Sequence, residues 1–103
     1  MIALVEDRLA EVAEICRRYG VERLDLFGSA AGDGFDPEES DLDFVVSFES
    51  KEPPELFDRY FGLKEDLEGL FRRGVDLVTE GALAKDRRFA EDVEESRVQL
   101  YAS

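Results

Sequence analysis

Histidine and tryptophan are missing from this 103-residue chain, cysteine occurs once, and 13 basic residues face 26 acidic ones. Without histidine there is no Ser-His-Asp triad, no Cys-His pair and no histidine-rich zinc site. A lone Cys16 cannot close an intramolecular disulfide, which suits a reducing compartment. The formal net charge of −13 argues against a general nucleic-acid binder, because affinity for a phosphate backbone comes mainly from Lys and Arg displacing counterions. A nucleotide carried on a metal ion stays compatible, since a bound cation inverts the local field. Long apolar runs are also missing. The longest uncharged stretch, Leu26 to Gly32, has seven residues, far short of the ~20 a membrane helix needs. No basic segment followed by an apolar core opens the sequence, so a cytoplasmic protein is the expectation.

What the chain has is enough apolar material for a core: 44% hydrophobic and 11% aromatic residues, eight of them Phe, beside 38% charged. One domain over residues 1–103 is expected. From Leu4 to Tyr19, Val5, Leu9, Val12, Cys16 and Tyr19 recur at helical spacing, with Gly20 at the C-cap position. Cys16 falls on the buried stripe as a small hydrophobe. Val21 to Gly28 alternates like a strand and ends in Gly28-Ser29; a loop over Gly32 to Glu39 follows. Asp41 to Phe48 is a second strand. Pro53 and Pro54 open a long helix in which Leu56, Phe57, Tyr60, Phe61, Leu63, Leu67, Leu70 and Phe71 form one wide apolar face, with Gly74 past its end. Val75 to Thr79 is a third strand, Ala82 to about Glu95 a weakly amphipathic helix, and Arg97 to Tyr101 a brief edge strand. The expected fold is α+β: a small mixed sheet with helices packed on one face.

Asp41 and Asp43 stand two apart in a strand, so both project from one face, their Cα atoms about 6.5–7 Å apart. Leu42, Phe44, Val46 and Phe48 point the other way and anchor the strand. Hard divalent ions such as Mg²⁺ take one or two carboxylates plus phosphate and water, so this spacing suits a metal-nucleotide site. If the third strand lies beside the second, Val75 and Leu77 force Asp76 onto the same open face. Three carboxylates then converge, as two-metal phosphoryl transfer requires. Gly28 lets backbone N–H groups approach a phosphate, and the Ser29 hydroxyl can donate to it. Taken singly, a Gly-Ser turn is plain turn chemistry and an acidic strand is a solvated face. The order of the pieces is what carries information.

The runs Leu26-Phe27-Gly28-Ser29, Ser40-Asp41-Leu42-Asp43-Phe44-Val45-Val46 and Val75-Asp76-Leu77-Val78 resemble the nucleotidyltransferase superfamily that includes DNA polymerase β, and within it the minimal nucleotidyltransferases. The resemblance covers nearly the whole chain and implies a polymerase β palm-like fold. It also implies that Asp41, Asp43 and Asp76 bind Mg²⁺ (or Mn²⁺) and form the catalytic set, and that Gly28 and Ser29 hold the phosphates of ATP or another nucleoside triphosphate. The implied reaction is attack of a hydroxyl on the α-phosphate, and the implied partner is a helical HEPN-type protein, a toxin to which this chain adds AMP as antitoxin. One departure stands out: the loop Ala30 to Glu39 carries no basic residue and four acidic ones, Asp33, Asp36, Glu38 and Glu39. Arg72, Arg73, Lys85, Arg87 and Arg88 are the candidate counter-charges for a triphosphate. The acidic loop favours a rival reading, a catalytically inactive module of the same fold that neutralises its partner by binding; the intact aspartate trio favours the enzyme. Nucleotidylation of a small molecule is a third reading, weakened by the little chain left for a second substrate.

Overall fold

The computed structural model describes residues 1–32, 41–49 and 53–103. The acidic loop residues Asp33, Asp36, Glu38 and Glu39, with Ser40 and most of the turn before the long helix, lie outside the described residues. In chain order the elements are α1 (Ala3–Glu6), α2 (Leu9–Arg18), β1 (Val21–Phe27), a 3₁₀ turn (Gly28–Ala31), β2 (Leu42–Phe48), α3 (Pro53–Phe71), β3 (Val75–Thr79), α4 (Glu80–Ala84), α5 (Arg87–Ser96) and β4 (Val98–Ala102). They build a four-stranded sheet in the order β3-β2-β1-β4. β1 runs antiparallel to β2 and β4, while β2 and β3 are parallel, joined by the crossover through α3. The expected α+β fold with a mixed sheet is therefore present.

Period-two alternation sorts the strand residues between two faces. Leu24, Leu26, Leu42, Phe44, Val46, Val75 and Leu77 face α2 and α3 and are buried with Val12, Cys16, Leu63, Leu67 and Phe71. Cys16 is fully buried, and burial pushes its thiol up to about 12, so it packs as a hydrophobe. Phe27, Val45 and Val78 face the other way and meet Leu83, Phe89 and Val93 of α4 and α5 in a second, smaller cluster. Helices therefore cover both faces of the sheet and not the one face expected, because the weak amphipathicity of residues 82–95 does not announce a second layer.

Three local expectations need correction. The first helix is broken: Asp7 and Arg8 separate α1 from α2. The last helical stretch is likewise two helices, capped separately by Thr79, whose hydroxyl accepts from the Ala82 N–H, and by Asp86, which accepts from the Phe89 N–H. Strong caps inside a charged segment divided what periodicity alone ran together. Finally, α3 does not present one buried face. Leu63, Leu67 and Phe71 are buried, whereas Phe57 and Phe61 stand 64% and 48% exposed.

Candidate active site

β2 and β3 lie side by side in parallel register, Asp43 opposite Asp76, on the face away from the main core. Their apolar neighbours on each strand are buried beneath the sheet, so packing turns both carboxylates to the same side. The two carboxyl groups come into hydrogen-bonding contact. Burial first, then the Asp76 charge and its hydrogen bond, then the Asp41 charge, push Asp43 up to about 6. Two oxygen-rich groups held against their own repulsion form a donor set that a hard divalent cation relieves, so the residues fit such an ion.

Asp41, expected as the first residue of this strand, lies just before β2, two residues ahead of Asp43. The Leu42 N–H donates to the Gly74 carbonyl, which continues the β2–β3 pairing, and the Asp41 carboxylate crosses over Gly74. A Cβ at Gly74 would lie 2.6 Å from Asp41 Oδ1. Gly74 is thus not the helix terminator it resembles; the positive φ after α3 is taken by Arg72, at 56°. Among the described residues, no group of three or more carboxylate, Cys or His side chains is gathered as a metal cluster. Asp43 and Asp76 are brought together, and Asp41 stands beside them within electrostatic reach.

Gly28 plays the matching part for Asp43. Its φ is +75°, and a Cβ there would meet Asp43 Oδ2 at 2.5 Å. Both the left-handed backbone and the close carboxylate demand glycine. Ser29 follows, half-buried in the 3₁₀ turn. The Gly28 N–H is donated to Ser96 Oγ over 2.9 Å, a contact spanning 68 residues that no local pattern announced.

Ser96 is held by its neighbour. Arg97 bridges Asp25 Oδ2 at 2.7 Å, Glu94 Oε1 at 2.8 Å and Glu80, with Arg23 reaching Asp25 from the other side at 2.9 Å. Asp25 is fully buried and the Arg97 side chain 10% exposed. Burial pulls the Arg97 guanidinium down, but Glu80, Asp25 and Glu94 more than offset it and leave it above its ordinary value. This network ties β1, α4 and α5 together and presents Ser96 to the Gly28 turn.

A cleft of about 310 Å³ opens over the aspartate pair at the β3 edge, walled by Phe27, Val78 and Phe89 on one side and by Tyr60 and Lys64 of α3 on the other. The Tyr60 hydroxyl donates to the Leu77 carbonyl and pins α3 to this edge. None of the expected counter-charges Arg72, Arg73, Lys85, Arg87 or Arg88 lines the cleft; Lys64 is its basic residue, and it makes no ion pair among the described residues. Its helical offset of four from Tyr60 was the available signal, but only the packing of α3 on β3 gives that offset meaning.

The sequence pattern of the nucleotidyltransferase domain matches residues 9–100. Among solved structures, one described as a minimal nucleotidyltransferase is 34% identical, with a TM-score of 0.72 over 91% of this chain and 90% of its own. The MNT antitoxin structure from a complex with the tri-AMPylated Shewanella oneidensis HEPN toxin superposes with a TM-score of 0.63 at 17% identity, covering 95% of this chain and 72% of the other. A toxin-antitoxin structure with AMP-PNP gives 0.64 at 20% identity, over 92% and 73%. At those identities the likeness is one of fold. No curated protein matches.

Proposed function

This chain belongs to the nucleotidyltransferase domain family, and from that premise we propose that it transfers a nucleoside monophosphate, AMP from ATP, to a hydroxyl of a helical HEPN-type protein as the antitoxin of a toxin-antitoxin pair. The observation that carries this reading is the Asp43–Asp76 pair, held in contact on adjacent parallel strands at the floor of a cleft. A protein has little packing reason to hold two carboxylates in that way.

In the proposed reaction the acceptor oxygen forms a bond to the α-phosphorus, the bond from that phosphorus to the bridging oxygen breaks, and pyrophosphate leaves. Asp41, Asp43 and Asp76 are the residues that would hold divalent metal, Mg²⁺ or Mn²⁺, and such ions supply polarisation of the phosphate and a lowered pKa for the attacking hydroxyl. Asp76, the exposed member of the pair, would take the acceptor's proton. The Ser29 hydroxyl donates to a phosphate oxygen, and Gly28 keeps the turn low enough for close approach. The Gly28 N–H is engaged by Ser96, so the turn arrives already shaped. Lys64 brings positive charge to the cleft wall where the Ala30 to Glu39 loop brings none. A lysine ammonium is a flexible point charge suited to phosphate oxygens.

The test is to incubate the protein with labelled ATP, Mg²⁺ and the HEPN-type protein encoded beside it. Label should pass covalently to that protein, and Asp41→Ala with Asp43→Ala should abolish it. Lys64→Ala should weaken binding of the triphosphate analogue AMP-PNP with Mn²⁺ more than binding of AMP. A tight complex that forms with no label transferred would establish the rival reading, the inactive binding module, which the acidic loop favours.

A further inference from the structure

Three features stand outside the site just described: the buried Asp25–Arg97 network, the fully buried Cys16, and an apolar strip on α3. The network satisfies its own charges and Cys16 is packed inert, which leaves the strip. Phe57 and Phe61 lie one helical turn apart with ring centroids 4.7 Å from each other, and Tyr60 packs edge-on against Phe61 at 5.0 Å. With Leu56 and Thr79 they wall an apolar groove of about 320 Å³. Leu56 and Thr79 also border a second hollow of about 270 Å³, whose far side is Glu80 and Gly81. Two large aromatic side chains left open beside two concavities are costly to keep in water and useful only when covered.

The surroundings say what covers them. On α3, Asp58 and Glu65 are exposed three residues before and four after Phe61, which places them on its flanks. The strip is therefore an aromatic ridge with an acidic rim on a chain of formal charge −13. A second copy of the chain is a poor occupant, because an isologous dimer would set rim against rim and −13 against −13. A partner with apolar residues edged by Lys and Arg is complementary in both respects. Tyr60 also walls the aspartate cleft, so the groove and the cleft share one side chain and a protein seated on the ridge reaches the reacting centre.

We propose that the Phe57–Phe61 ridge, with Asp58 and Glu65 at its rim, is the docking surface for the acceptor protein, which presents a basic-edged amphipathic helix to it. This rests on the function proposed above for the identity of the acceptor, but docking and transfer separate experimentally. Calorimetry should show the wild-type chain binding the HEPN-type protein encoded beside it, more tightly at low salt than at high. Phe57→Ala with Phe61→Ala should weaken that binding at least about tenfold, as loss of central aromatic anchors does. Asp58→Lys with Glu65→Lys should weaken it less and flatten the salt dependence. Binding of Mn²⁺ with AMP-PNP should be unchanged in both variants, which also shows that they fold. Unaltered affinity in the aromatic double variant overturns the proposal. So does failure of the wild type to bind that protein, whether the chain then sediments as a monomer or as a dimer that the double variant dissolves. Docking that is lost in the variant while the wild type transfers no label upholds the surface and refutes the enzymatic reading instead.

Discussion

The two faces of the sheet are held by different physics. Under the α1–α3 side, Leu24, Leu26, Leu42, Phe44, Val46 and Leu67 are buried to the last few per cent, and the interior is apolar throughout. Under the α4–α5 side a small cluster around Phe27, Val45, Leu83 and Val93 shares its space with a buried ion network and the two aspartates in contact. The first face draws its stability from transfer of apolar area out of water. The second gives up apolar area to charges, each of which must find a partner or lose stability. The candidate site sits on the face where packing is thinner, because only there can a carboxylate stay within reach of solvent and ligand.

The contrast can be broken most severely from either side. Phe44→Ala on the apolar face should cost about 3–5 kcal/mol, the usual result of emptying a large core site, read as a fall in the urea midpoint. Arg97→Ala on the charged face should cost about 3 kcal/mol, the low end for a broken buried pair, because Asp25 stays buried with only the more exposed Arg23 as its partner. The discriminating variant replaces both, Asp25→Leu with Arg97→Leu. It should recover much of that loss, whereas no second substitution so simple repairs Phe44→Ala. If the double variant is as unstable as the single, the network is not held by mutual compensation.

A smaller effect sharpens the comparison at the carboxylates. Gly28→Ala forces a side chain into a left-handed conformation and against Asp43 Oδ2, and should cost about 1–2 kcal/mol. Gly74→Ala, with an ordinary backbone but the same kind of collision with Asp41 Oδ1, should cost less and should show instead as weakened Mn²⁺ binding by calorimetry.

Asp43→Asn should raise the melting temperature of the metal-free protein at pH 7.5. The sign follows from a carboxyl whose folded pKa is raised: the folded state binds its proton more tightly, so stability falls as pH climbs from the ordinary carboxylate value near 3.8 through about 6, and the amide escapes that loss. Wild type and variant should converge below about pH 4. A gap that persists there would mean that the amide acts by packing and not by charge. Smallest of all, Ser96→Ala should cost about 1 kcal/mol, the value of one hydrogen bond. Faster hydrogen exchange at the Gly28 amide should report it, and Ser96→Thr should restore protection.

Several of these residues are legible in the sequence. Alternation in Leu42-Asp43-Phe44 and in Val75-Asp76-Leu77 fixes which side chains share a face, because a strand turns successive residues to opposite sides by its covalent geometry alone. The amphipathic spacing around Val12 and Cys16 is of the same local kind. Phe57 and Phe61 misled the same reasoning. Their spacing is helical and apolar, yet periodicity cannot tell a face that meets the sheet from one that meets a partner.

The sequence by itself determined the strands, the order of Gly-Ser, Asp-x-Asp and Asp, and the side of the sheet on which each acid points, since all of these depend on neighbours a few residues away. Only the tertiary structure decided that Lys64 walls the cleft, that Ser96 meets Gly28, and that Gly28 and Gly74 clear space for Asp43 and Asp41. Those contacts join residues tens of positions apart, and their distances are set by how whole helices and strands pack, a quantity no local pattern contains.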